Sequence, residues 1–153
     1  MKRIMFVCHG NICRSPMAEF LMKDLVEKKG ERANFEIKSC ATSCEELGNP
    51  VHYGTKAILD RLGISCKGKY AVKLNASDYD KYDYFIGMDE YNRRNMMRIF
   101  GSDKDNKISC LMDYTKNPRS VADPWYTGNF TETYRYVLEG IQALYEFIKN
   151  NEN

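Results

Sequence analysis

The chain has 153 residues, with 23 Lys and Arg against 21 Asp and Glu, giving a formal charge of +2 at pH 7. That length suits one domain with a real core, and 43% hydrophobic with 29% charged residues excludes a disordered chain. The near-balance of charge gives no reason for a nucleic-acid partner, and no apolar run approaches the roughly 20 residues of a membrane span.

The opening "MKRIMFVCHG" is basic but holds too few apolar residues for a signal peptide, so a cytoplasmic protein is expected. Residues 3–8 read instead as a buried strand. "SPMAEFLMKDLVEKKG" predicts a helix over 15–30, with Ser15 as N-cap, Pro16 at the first helical position and Gly30 at the exit. Its apolar face is Met17, Leu21, Met22 and Leu25. Residues 35–41 give a second strand, and 51–62 a helix closed by Gly63. The pattern from 64 to 74 is weak and reads as loop, followed by a short helix capped by Asn75. Residues 82–88 form a third strand, a helix runs from Asp89 to Gly101, and 107–112 form a fourth strand. A long polar loop, 113–129, leads to a final helix over 130–149. In that helix Phe130, Tyr134, Val137, Leu138, Ile141, Leu144, Tyr145 and Ile148 share one face.

This alternation implies an α/β fold: one domain over 1–153, an open four-stranded parallel sheet, and helices on both faces. Ligands of such sheets sit beyond the carboxyl ends of the strands. The loop after the first strand and the loop around Asp123 both fall there.

Six cysteines (Cys8, Cys13, Cys40, Cys44, Cys66, Cys110) form no CxxC pair, and there are only two histidines, His9 and His52. A zinc site therefore has little support, and reduced thiols are expected. Cys40, Cys66 and Cys110 read as small packing residues.

"CHGNICRSP" concentrates reactive chemistry in one turn. A polar loop between a strand and a helix N-terminus binds anions through free N–H groups and the helix dipole. Gly10 and Asn11 tolerate left-handed angles, which lets successive N–H groups converge. Arg14 adds a planar fork that matches two phosphate oxygens. The same groups favour the thiolate of Cys8, a nucleophile aimed at phosphorus. Ser15 can donate its hydroxyl to that thiolate. Five residues between Cys8 and Arg14 wrap the loop once around a tetrahedral oxyanion. The Gly-Lys-Ser/Thr ending of a Walker A loop is lacking. The rest of the binding set is His9, Ile12 and Cys13, with the side chain of His9 expected to point away from the phosphate. The leaving oxygen needs an acid, and Asp123 in "ADPWY" is the better candidate than His9, with Trp125 and Tyr126 as aromatic walls for a flat substrate.

"CHGNICRSP" near the N-terminus, "GMDE" after the third strand and "DPWY" before the last helix resemble the low-molecular-weight protein tyrosine phosphatases, over nearly the whole chain. The resemblance implies hydrolysis of phosphotyrosine, in a protein or a small aryl phosphate, through a phosphocysteine on Cys8. Arg14 and the loop N–H groups would hold the equatorial oxygens, and Asp123 would serve as acid and then base. Asn11 would fix the loop, Ser15 would support the thiolate, and Ser39 and Asp89 would support the loop from behind. No cofactor or metal is implied. Cys13 matches a second loop cysteine that can form a disulfide with the nucleophile. A monomer is the default expectation.

The chain departs from the family pattern at His9, in "CKGKYAVKL", where a histidine–arginine segment is not recognisable, and in "ATSCEELGNP", which lacks an aromatic residue. Three rivals stand beside this reading. A protein-arginine phosphatase of the same family would carry threonine where Ile12 stands. A thiol-dependent arsenate reductase needs a cysteine pair that "NASDYDKYDYF" lacks. A phosphate-binding module would bind the anion without turnover.

Overall fold

The structure, a computed structural model, describes residues 1–152. Its elements are β1 (Lys2–Cys8), α1 (Arg14–Lys28), β2 (Phe35–Ala41), α2 (Tyr53–Arg61), β3 (Tyr84–Gly87), α3 (Glu90–Phe100), β4 (Ile108–Cys110), α4 (Pro124–Thr127) and α5 (Phe130–Asn150). The sheet is parallel throughout, in the order β2-β1-β3-β4. The chain leaves β1 for β2 on one side and returns past it to β3 on the other. The strand order therefore reverses at the carboxyl end of β1, where a parallel sheet opens a crevice for ligands.

Alternation along β1 sorts its side chains onto two cores. Ile4, Phe6 and Cys8 face Met17 and Met22 of α1, Leu59 of α2 and Val137, Ile141 and Leu144 of α5. Met5 and Val7 face the opposite layer, with Tyr79, Tyr82, Phe85 and Met96 of α3. Ile4 and Phe6 are fully buried, each worth about 1.5–3 kcal/mol of transfer free energy. The strand that carries Cys8 is thus the best-anchored element, and its end is a fixed platform.

The predicted face of α5 is the buried one, with Phe130, Tyr134 and Leu138 at its margin. α3 starts at Asp89, whose carboxylate accepts from Asn92 N–H, and stops at Gly101 in the left-handed region. Several boundaries differ from the sequence reading. Ser15 does not cap α1: Cys13 occupies the cap position without a side-chain bond, and the hydroxyl of Ser15 is taken up by Cys8 and Asn11. Pro16 is the third helical residue, where its missing N–H still costs nothing. The segment at 76–81 is a 3-10 turn, and Leu111–Tyr114 leaves β4 in another. The polar loop before α5 contains α4, a single turn.

α2 begins under the start of α5. A Cβ at Gly54 would lie 2.6 Å from the ring of Phe130, which stacks on His52 at 4.9 Å. His52 caps α2 through Nδ1, so the ring has no free retreat. Gly54→Ala is expected to destabilise the protein by about 1–3 kcal/mol through overpacking, read as a lowered midpoint in thermal or urea unfolding. An unchanged midpoint would mean that the ring moves aside freely.

Candidate active site

The loop from His9 to Cys13 turns its carbonyls outward. Cys8 and His9 C=O accept from Thr42 and Ser43 N–H at 3.0 and 3.1 Å. Ile12 C=O accepts from His52 N–H at 2.8 Å, and Cys13 C=O accepts from Thr55 Oγ1 at 3.1 Å. The carbonyls of Cys8, His9, Ile12 and Cys13 are thus spent on the scaffold. One loop N–H engages the Cys8 thiol: Asn11 N–H lies 3.3 Å from Cys8 Sγ. Asn11 has φ +59, so a non-glycine residue holds the left-handed turn that makes the nest.

Asn11 is buried and its side chain is fully used. Its Oδ1 accepts from Val72 N–H at 3.1 Å, and its Nδ2 donates to Ser15 Oγ at 2.8 Å and Ser39 Oγ at 2.9 Å. Ser15 Oγ sits 3.0 Å from Cys8 Sγ. Asn11→Ala would leave buried partners unpaired and put a Cβ residue without a side-chain tether at positive φ. The expected cost is about 2–4 kcal/mol in urea unfolding. A loss below the size of one hydrogen bond would show that the loop holds its shape without this side chain.

Arg14 has a side chain 3% exposed, yet three partners aim it. Nη1 donates to Asp89 Oδ2 at 2.7 Å and to Val121 C=O at 2.9 Å, and Nη2 lies 3.5 Å from Asp123 Oδ2. Burial works against the guanidinium charge, but Cys8, Asp89 and Asp123 outweigh it and hold its pKa above the ordinary value. Asp123 caps α4: its Oδ1 accepts from Trp125 N–H at 3.0 Å, which leaves Oδ2 turned toward Arg14. Val121 N–H donates to Met88 C=O at 3.0 Å and ties this loop to the end of β3.

The cleft over Cys8 is walled by Ile12, Cys13, Arg14, Asp123, Trp125 and Tyr126, so the residues expected from two distant segments meet at one place. Trp125 packs edge-on against His52, and Tyr126 is 83% exposed at the rim. His9 lines the cleft too, but its imidazole turns to Glu45, Nε2 to Oε2 at 3.0 Å. Gly10 lies against Glu46. Cys13 is buried and lines the same cleft as Cys8. Its thiol is pushed up to about 12 by burial, and by the negative groups Cys8 and Asp123, so it stays protonated at neutral pH.

Sequence reasoning missed several residues. Glu45 and Glu46 line the same cleft. Val121 holds Arg14 by a carbonyl, which no side-chain pattern encodes. Glu19 and Lys69 extend the Asn11–Ser39 network. The one available signal was a glutamate set between Ala18 and Phe20 in α1.

A thiol at the end of a central strand, under a nest of N–H groups and a fixed guanidinium, defines a cysteine-centred oxyanion site of the phosphoryl-transfer type. The profile of the low molecular weight phosphotyrosine protein phosphatases matches residues 3–153. The chain is 38% identical to the low molecular weight protein-tyrosine-phosphatase YfkJ of Bacillus subtilis over 154 aligned positions, covering 99% of each. It is 37% identical to PtpA of Staphylococcus haemolyticus, covering 100% of this chain and 97% of that one. The crystal structure of YfkJ superposes with a TM-score of 0.96 over 100% of this chain and 98% of the other. The chain belongs to the low molecular weight phosphotyrosine protein phosphatase family.

Proposed function

We propose that the protein hydrolyses phosphotyrosine in proteins, and small aryl phosphates, with Cys8 as nucleophile. The observation that carries this reading is the position of Cys8 Sγ, between Ser15 Oγ at 3.0 Å and Asn11 N–H at 3.3 Å. Both can hydrogen-bond a thiolate, in a cleft that Arg14 and Asp123 also line.

The phosphate dianion docks on the loop N–H groups and the fork of Arg14. Cys8 attacks phosphorus in line as the bond to the phenolic oxygen breaks, and Asp123, protonated at the start, gives its proton to that oxygen. The result is S-phosphocysteine and free tyrosine. Asp123, now a carboxylate, takes a proton from a water that attacks phosphorus, and the thiolate leaves with Ser15 as donor. Arg14 and the N–H nest carry the charge of the transition state throughout. Ile12, Trp125 and Tyr126 offer the flat apolar walls an aromatic ring needs. Two relatives at 37–38% identity are named protein-tyrosine-phosphatases, which supports the phosphotyrosine reading. A reduced, cytoplasmic setting and a monomeric state are part of the proposal, the former supported by six free thiols. Among the described residues no helix is long and apolar enough to cross a membrane.

The apolar Ile12 in the cleft wall argues for an aryl ester over phosphoarginine. Phosphate release from matched phosphotyrosine and phosphoarginine peptides tests this. Faster turnover of phosphoarginine would transfer the assignment to that substrate, and absence of turnover on both would leave an anion-binding loop.

A further inference from the structure

Behind the loop runs a chain of side chains that the proposed reaction does not use. Glu19 lies on α1 with its carboxylate 5% exposed. Its Oε1 accepts from Ser39 Oγ at 2.5 Å. Two ammonium groups hold it: Lys23 Nζ at 2.6 Å from Oε2 and Lys69 Nζ at 3.6 Å from Oε1. Lys69 also donates to the Ser39 carbonyl at 2.7 Å. Its side chain is 12% exposed, and burial lowers its pKa. Lys69 comes from "CKGKYAVKL", the segment that lacks the family's histidine–arginine pattern.

The protons in this chain can be placed by counting. A backbone N–H only donates, so Val72 N–H fixes Oδ1 as the accepting end of the Asn11 amide. Both hydrogens on Nδ2 are then committed to Ser15 and Ser39. A carboxylate only accepts, so the hydroxyl proton of Ser39 points at Glu19 and its lone pair receives Asn11. Ser15, already accepting from Asn11, has its own proton left over. Sγ of Cys8, at 3.0 Å, is where that proton goes. Val72 N–H at one end of the chain and the Glu19 carboxylate at the other together set the direction of the bonds between them. Without that acceptor, Ser39 can turn its proton toward Asn11, and the amide loses one of its two fixed partners.

We infer that Glu19, clamped by Lys23 and Lys69, is a positioning residue for the reaction: it polarises the Ser39–Asn11–Ser15 chain so that the Ser15 hydroxyl donates to Cys8. The inference rests on the phosphatase reading, which Cys8-dependent turnover by the unmodified protein tests separately.

The test is a double-mutant cycle on p-nitrophenyl phosphate, with Glu19→Met, Glu19→Gln and Ser15→Ala. Methionine fills the volume without accepting, while the glutamine amide still offers Ser39 an oxygen. Glu19→Met is expected to lower kcat about tenfold, the worth of one hydrogen bond to a charged group, with KM within about twofold. Glu19→Gln is expected to restore most of that loss. In a Ser15→Ala background Glu19→Met should cost nothing further, because the proton it directs is gone. Inhibition by inorganic phosphate should stay unchanged and show that the loop is intact. If Glu19→Met does not fold, Ser39→Ala cuts the same chain one link on, and the same non-additivity with Ser15→Ala is expected. Losses that multiply across the cycle, or a glutamine variant as impaired as the methionine one, would overturn the inference.

Discussion

Cys8→Ser is expected to abolish release of phosphate from phosphotyrosine peptides while the protein stays folded and still binds inorganic phosphate. The contrast follows from how the site is built. On the proposed reading, binding is the work of the loop N–H groups and Arg14, whose orientation depends on Asp89 and the Val121 carbonyl, and of these only the Asn11 N–H touches the substituted atom. Chemistry depends on one sulfur. The hydrogen bonds from Ser15 and Asn11 can hold a thiolate, but an alcohol is several units harder to ionise and has no base beside it. Removing a nucleophile costs about 10^4-fold or more in kcat where the residues act as a unit. Stability should change little: the site is 3% exposed, but a serine hydroxyl finds Asn11 N–H and Ser15 Oγ already placed as partners. Turnover within about a hundredfold of the unmodified protein would move the covalent step to another residue and remove Cys8 from the nucleophile role.

The parts legible in the sequence are those encoded locally. β2 was readable to the residue because "FEIKSCA" is bounded by polar stretches. The face of α5 was readable because 3.6-residue periodicity persists for six turns. The Cys8 loop declares itself through residue types at fixed spacing, and the doubly wound order then brings the Asp123 loop to the same edge. The residues that went unread act across the fold. Ser15 has the composition of a helix cap, but a long-range partner outbids the local one: Cys8 and Asn11 take its hydroxyl, so the cap goes unused. Glu19 sits among apolar neighbours on α1, and only the arrival of Ser39, Lys23 and Lys69 explains it. Lys69 and Val72 lie in a stretch with no periodicity, since its two roles are a side-chain contact to β2 and a backbone N–H to Asn11. α4 was hidden for a similar reason: one turn capped by Asp123 has no room for a repeat.

Loss of the Asp123 carboxyl proton should be felt in proportion to how much the leaving group needs it. On phenyl phosphate or a phosphotyrosine peptide, Asp123→Ala is expected to lower kcat/KM, which reports the phosphorylation step, by about 10^2–10^4-fold, the usual worth of a general acid. On p-nitrophenyl phosphate the loss should be far smaller, because nitrophenolate departs without protonation. Alanine also removes the cap of α4, since Oδ1 accepts from Trp125 N–H, so a displaced Trp125 wall could contribute to the effect. Asp123→Asn separates the two. An asparagine retains an oxygen for the Trp125 N–H, so the α4 cap survives while the transferable proton is gone. Both variants should show the same dependence on leaving group, with alanine alone showing an added rise in KM. The second half of the reaction sharpens the assignment. If Asp123 also activates the water, the phosphocysteine should break down slowly even for p-nitrophenyl phosphate, and a burst of nitrophenol should precede a slow steady state. Equal losses in kcat/KM on good and poor leaving groups, in both variants, would take the acid role away from Asp123 and leave it as the residue that caps α4 and faces Arg14.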